Sequence, residues 1–110
     1  MRILIVEDEV KIRMGISRLI TSHTHHTVVG EAKNGKEGLE MISRYHPQLV
    51  ISDIRMPVMN GLDATRAVRR SANPLGKTIP IIAMTANAFD EDRQNAEKAG
   101  MNGHLSKPFD

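Results

Sequence analysis

The chain has 110 residues, with 15 Lys and Arg against 13 Asp and Glu, and 40% of its residues are hydrophobic. This length favours a single domain, and the composition is typical of a soluble globular protein rather than a disordered one. The absence of Cys excludes a disulfide scaffold, a thiolate zinc site and cysteine catalysis.

Charge and hydropathy exclude further classes of function. The net charge is only +2, and no run of basic residues stands out, so we predict no direct binding to nucleic acid. No apolar stretch approaches the ~20 residues that are needed to span a bilayer. We therefore expect a cytoplasmic protein that does not associate with membranes.

Short apolar runs alternate with segments of helical periodicity along the whole chain. In chain order they predict a strand over residues 3–6, a helix over 9–21, a strand over 27–32, a turn at 34–35, a helix over 37–45, a strand over 49–52, a helix over 62–70, a loop over 73–76, a strand over 79–84, a helix over 88–99 that is capped by Gly100, and a strand over 103–106. Continuous aliphatic runs suit parallel strands that are covered on both faces. The alternation predicts one α/β domain over residues 1–110, with a doubly wound parallel sheet.

Polar residues follow four of the five predicted strands. Glu7 and Asp8 follow the first strand, Asp53 the third, Thr85 the fourth and Lys107 the fifth, at the edge where sheets of this kind place their sites. Three carboxylates within roughly 5 Å repel by ~3 kcal/mol per pair at an effective dielectric of ~20. We therefore expect Lys107 and a hard divalent cation to offset them, and oxygen-only ligands suit Mg²⁺.

Taken one at a time, these residues have ordinary structural explanations. An acidic cluster after a strand is typical of a helix N-terminus, a Thr in that place is typical of a helix cap, and an Asp or Lys is common in solvated loops. Their joint occurrence favours a phosphoryl pocket. In such a pocket an Asp acts as nucleophile and forms an aspartyl-phosphate, while a metal ion and a Lys neutralise the phosphoryl oxygens.

The whole chain resembles the receiver domains of two-component response regulators. The resemblance rests on four segments in order: ILIVEDE over residues 3–9, DIRMPVMNG over 53–61, MTA over 84–86 and KPF over 107–109. It implies a flavodoxin-like five-stranded sheet with strand order 2-1-3-4-5. It also implies a signalling domain that catalyses only its own phosphorylation and dephosphorylation.

The resemblance assigns a role to each site residue. Asp53 is implied as the phosphoacceptor, Thr85 as the switch hydroxyl and Lys107 as the cation that pairs with the phosphoryl group. The implied Mg²⁺ ligands are Glu7, Asp8, Asp53 and the backbone carbonyl of Arg55. Glu7 stands where the family more often has Asp.

His104 occupies the position of the family's second switch residue. Two interpretations stay open for it. In one, the ring changes between outward and inward rotamers as Thr85 approaches the phosphoryl group. In the other, His104 is simply a partly buried residue of a strand.

The resemblance also bears on partners. It implies phosphoryl transfer from a histidine kinase or a histidine phosphotransfer protein. Receivers normally continue into a further C-terminal helix after the Lys-Pro segment, and this chain lacks it, so we expect the face beneath that helix to be exposed or to lie in an interface. A homodimer or a swapped oligomer would provide such an interface.

Two other functions fit the sequence less well. A small phosphatase or phosphotransferase with an Asp nucleophile would carry Asp-x-Asp after a strand, but position 55 is Arg. A flavodoxin-like FMN-binding protein would carry a loop rich in Ser, Thr and Gly after the first strand, where this chain has three acidic residues.

Overall fold

The computed structural model describes residues 1–54, 56, 58–72, 75–85 and 90–106, with the backbone alone at residues 85, 90–92 and 106. Its strands are β1 (Arg2–Val6), β2 (Thr27–Ala32), β3 (Leu49–Asp53), β4 (Ile81–Thr85) and β5 (Gly103–Ser106). The helices are α1 (Val10–His23), α2 (Gly35–Tyr45), α3 (Gly61–Arg70), α4 (Leu75–Thr78) and α5 (Asp90–Ala99).

The strands form one parallel sheet with the order β2-β1-β3-β4-β5. This order and the alternating helices confirm the predicted flavodoxin-like fold. In the register of the sheet, Val6 pairs with Ser52, and Asp53 pairs with Met84. The carboxyl ends of β1, β3 and β4 therefore meet at one edge.

Apolar side chains cover both faces of the sheet, which explains why its central strands are continuous aliphatic runs. Ile3 and Ile5 of β1 pack with Ile12 and Ile16 of α1 on one face. The alternate residues Leu4 and Val6 pack on the opposite face in a cluster that includes residues of α2, α3 and α5. Because successive side chains of a strand point to opposite faces, every residue of β1 after its exposed first one is buried.

A side-chain cap marks the start of α2, and a left-handed residue marks the end of α5. The side chain of Asn34 accepts a hydrogen bond from the amide of Glu37 at 2.9 Å, so α2 begins where the sequence predicted only a turn. Gly100 has a φ of +106°, which confirms it as the residue that ends α5. The predicted helix start at Ala88 lies outside the described residues.

The segment before β4 differs from the prediction. The loop predicted over residues 73–76 and the strand predicted from Ile79 are both partly wrong, since α4 spans Leu75–Thr78 and β4 begins at Ile81. The amide of Ile79 donates to the carbonyl of Leu75 at 2.9 Å, which closes a helical turn. Pro80 has no N–H to donate to a neighbouring strand.

One apolar side chain of the sheet is exposed near the end of the described chain. Leu105 lies beside the buried Met84 and is 52% exposed. The oligomer that was predicted to cover this face stays a prediction. None of the helices in the described part of the chain is both long and apolar enough to cross a membrane.

Arg69 joins the end of α3 to two other elements. Its guanidinium donates to the carbonyls of Gly76 in α4 and Gly100 after α5, at 2.9 to 3.0 Å, and to Oδ1 of Asn102 at 2.7 Å. The same Oδ1 accepts from the amide of Ile81 at the start of β4. Burial lowers the pKa of Arg69 below the usual arginine value.

We expect Arg69→Met to lower the free energy of unfolding by about 2 kcal/mol, because two carbonyls lose a charged hydrogen-bond donor. Urea unfolding monitored by circular dichroism measures the change. The matched control is Arg70→Met, since exposed Arg70 donates within its own helix to the carbonyl of Arg66, and it should change stability by less than about 0.5 kcal/mol. Equal effects of the two substitutions would contradict a joining role for Arg69.

Candidate functional site

Three carboxylates meet at the carboxyl edge of the sheet. Glu7 is completely buried, Asp53 is 4% exposed and Asp8 is half-buried. One carboxylate oxygen from each of the three lies within 4.8 Å of the others. The structure thus brings together the acidic residues that the sequence placed after the first and third strands.

The register of the sheet explains this meeting. Val6 and Ser52 are paired neighbours, so Glu7 and Asp53 are the next residues along two adjacent strands. The amide of Glu7 donates to the carbonyl of Ala32 at 2.9 Å. That bond extends the pairing of β1 with β2 by one residue and holds the backbone of Glu7 at the carboxyl edge of the sheet.

The start of α3 holds Asp53 from the other side. The amide of Gly61 donates to the carbonyl of Ile54 at 2.9 Å, and the helix backbone approaches so closely that a Cβ on Gly61 would collide with the carbonyl oxygen of Asp53. Sequence reasoning missed this role of Gly61. The available signal was its place directly after Asn60, whose side chain caps α3.

The remaining predicted site residues are placed only in part. Thr85 ends β4, one residue after the Met84 that pairs with Asp53, so its backbone reaches the same edge. Half-buried His104 lies on β5 beside Ala83. Arg55 and Lys107 lie outside the described residues.

A cleft of about 270 Å³ lies between α5 and β5. His104 lines it together with Arg93 and Glu97. His104 therefore borders open space instead of being enclosed by the core. This environment is compatible with both interpretations of His104, as a switch residue and as a partly buried strand residue.

The site has a second feature that sequence reasoning missed. Arg13, on the second turn of α1, donates from Nη1 to the carbonyl oxygen of Glu7 at 2.8 Å. Its Nε lies 3.5 Å from a carboxylate oxygen of Glu31 on β2. A cation within the first turns after an acidic pair is the only signal that the sequence offers for this contact.

The chemistry of the three carboxylates fits a hard divalent cation. At a separation near 4.8 Å, each pair of charges repels by about 3 kcal/mol at an effective dielectric of about 20. Oxygen ligands without nitrogen or sulfur are those that Mg²⁺ prefers, and Mg²⁺ usually keeps several waters beside one or two carboxylates. Glu7, Asp8 and Asp53 are therefore suited to hold this ion.

The family model of the response regulator receiver domain matches residues 3–110. The chain belongs to this family. This receiver is 39% identical over 110 residues, its full length, to an uncharacterized 14.6 kDa protein of Leptolyngbya boryana, and covers 81% of that protein. It is 34% identical over 108 residues to the nitrate/nitrite response regulator protein NarL of Escherichia coli K12. That match covers 98% of this receiver but only 48% of NarL, so the receiver spans about half the length of this relative.

The chain is also similar to solved structures of receiver domains and of a chemotaxis protein. The receiver domain of the sensor histidine kinase PA1611 from Pseudomonas aeruginosa PAO1 is 36% identical, with a TM-score of 0.82 over 99% of this receiver and 86% of that chain. That structure has a magnesium ion coordinated in its active site cleft. The Vibrio cholerae chemotaxis protein CheY4 is 31% identical, with a TM-score of 0.84 over 99% of this receiver and 88% of that chain.

We expect the effect of Asp8→Asn on the free energy of unfolding to change sign when Mg²⁺ is added. Without divalent cations the substitution should raise the free energy of unfolding by about 1–2 kcal/mol, because it removes one charge from a repelling group that solvent partly screens. With saturating Mg²⁺ the wild type should be the more stable protein, since an ion that binds only the folded state stabilises it.

Urea unfolding with Mg²⁺ or with a chelator measures both effects. Asp63→Asn is the control, because Asp63 is exposed on α3 and its variant should respond to Mg²⁺ as the wild type does. An Asp8→Asn variant that is less stable than the wild type in chelator would contradict the repulsion argument.

Proposed function

We propose that this receiver accepts a phosphoryl group on Asp53 from a histidine kinase or a histidine phosphotransfer protein, in a reaction that depends on Mg²⁺. The observation that carries the proposal is the group of three carboxylates, whose oxygens lie within 4.8 Å of one another at the carboxyl edge of the sheet. Membership of the receiver family supports it. The magnesium in the PA1611 receiver supports the choice of ion.

In the proposed reaction, a carboxylate oxygen of Asp53 attacks the phosphorus atom of a phosphohistidine. A P–O bond forms, the P–N bond breaks, and the leaving imidazole takes up a proton. The chemistry that Mg²⁺ supplies when bound is neutralisation of charge on the phosphoryl oxygens and on the acidic residues. Glu7, Asp8 and the carbonyl of Arg55 would hold the ion together with Asp53, and Lys107 would pair with the phosphoryl group.

The proposed function includes hydrolysis but no turnover of an external metabolite. Asp53 is 4% exposed, so its aspartyl-phosphate would have little contact with bulk water. The alternative, a phosphatase with an Asp nucleophile, needs an acid two residues after the nucleophile, and that position is Arg55. The acidic neighbours of Asp53 are those suited to hold the metal ion, which favours the receiver function.

The proposed output is a change of the surface around α5 and β5. Thr85 would approach the new phosphoryl group and leave space that the ring of His104 can enter. The cleft that His104 lines supports this proposal, because it leaves open space next to this residue. Arg93 and Glu97 line the same cleft, so the charges presented by α5 would change their surroundings with the ring.

Incubation with acetyl phosphate and Mg²⁺ tests the proposed function. We expect intact mass spectrometry to show an adduct of about 80 Da, as for one added phosphoryl group. The adduct should be absent with Asp53→Asn and absent in chelator, and it should remain with Asp63→Asn, which removes an exposed carboxylate. An adduct that survives Asp53→Asn would contradict Asp53 as the acceptor.

Nuclear magnetic resonance of the histidine side chains tests the proposed switch. We expect phosphorylation to shift the ring resonances of His104, because the ring changes its rotamer and its surroundings. His46 is the internal control, since it is exposed and precedes β3 at the opposite edge of the sheet. Ring resonances of His104 that stay in place while the adduct forms would leave it as a structural strand residue.

A further inference from the structure

We propose that Arg13 is a positioning residue that sets the affinity of the acidic pocket, formed by Glu7, Asp8 and Asp53, for Mg²⁺. The proposal rests on the proposed function, since it concerns the same site. Arg13 contacts the backbone of Glu7 and the side chain of Glu31. It would therefore act through the position of the backbone that carries the acidic residues.

The contact fixes the peptide group between the two acidic residues. The carbonyl oxygen of Glu7 and the amide of Asp8 belong to one planar unit, so a contact to this oxygen restrains the backbone of both residues. Nη1 of Arg13 holds its oxygen at 2.8 Å. The contact therefore restrains the position of the main chain that carries the side chains of Glu7 and Asp8.

Glu7 is thereby held through both of its backbone polar atoms. Its amide donates to the carbonyl of Ala32 at the end of β2. Its carbonyl is held by Arg13, which in turn lies 3.5 Å from Glu31, the residue before Ala32. The end of β2 and the second turn of α1 thus fix the backbone that carries the acidic pair.

The surroundings of Arg13 make this contact persistent. Its side chain is only 17% exposed, so its planar guanidinium is restricted to the space between α1 and β2. Hydrogen bonds that a charged donor makes in a partly buried place are stronger than exposed ones. Arg13 also continues α1 through its own amide, which donates to the carbonyl of Glu9 at 2.9 Å, so its side chain starts from a fixed backbone.

A residue that only orients metal ligands should change the affinity for the ion more than the rate at saturation. We expect Arg13→Met to raise the dissociation constant for Mg²⁺ roughly tenfold, as is usual when the partner of a metal ligand is removed. Isothermal titration calorimetry with MgCl₂ measures this. The rate of phosphorylation by acetyl phosphate should need more Mg²⁺ to saturate and should return at saturation to within about twofold of the wild-type rate.

Lys11→Met is the matched control for charge. Lys11 is exposed on the first turn of α1, and its substitution removes the same charge at a similar position in the chain. We expect it to leave the dissociation constant for Mg²⁺ within about twofold of the wild-type value, because surface charges are screened by salt. Equal weakening by the two substitutions, or unchanged binding in Arg13→Met, would overturn the positioning role.

A measurement on the wild type keeps the proposal testable if Arg13→Met does not fold. The guanidinium of Arg13 should give resolved, slowly exchanging N–H resonances, in contrast to that of the exposed Arg18 on the same helix. Averaged resonances like those of Arg18 would overturn the inference. A wild type that binds no Mg²⁺ would overturn the proposed function as well, whereas a wild type that binds it while Arg13→Met binds equally well would overturn only the role of Arg13.

Discussion

The repulsion among three carboxylates is the constraint on which the rest of the site depends. Glu7, Asp8 and Asp53 place oxygens within 4.8 Å of one another, and each pair costs about 3 kcal/mol at an effective dielectric of about 20. Without restraints, this repulsion would favour side-chain positions that are farther apart. The fold therefore has to hold them from the backbone, and a cation has to offset the charge that remains.

The backbone around the pocket is held from three directions. Ala32 on β2 fixes the amide of Glu7, Arg13 on α1 fixes its carbonyl, and Gly61 at the start of α3 packs against the carbonyl of Asp53. These contacts are to the main chain and do not involve the carboxylate oxygens. The three carboxylates are thus hindered from moving apart. Their repulsion can then be relieved by binding of a cation or by loss of a charge.

The sheet and the acidic pocket were predictable because both follow from patterns along the chain. Continuous aliphatic runs predict the buried strands, and the topology of parallel sheets brings Glu7 and Asp53 to one edge. The turn at α4 was not predictable, because it depends on a contact between helices: Gly76 packs so closely that a Cβ would collide with the carbonyl of Val68. The role of Arg13 was equally hidden, since periodicity does not tell which cation of a helix reaches a backbone carbonyl.

The two ends of α3 indicate where the receiver can respond to a change at Asp53. The first turn of α3 packs against the carbonyl of Asp53, and Arg69 at the other end holds the carbonyl of Gly100 and the side chain of Asn102, before β5. Asn102 in turn accepts from the amide of Ile81 at the start of β4. This frame fixes the amino ends of β4 and β5 relative to the pocket. The proposed response would therefore be carried by the other ends of these strands, where Thr85 lies, and by His104, which lines a cleft.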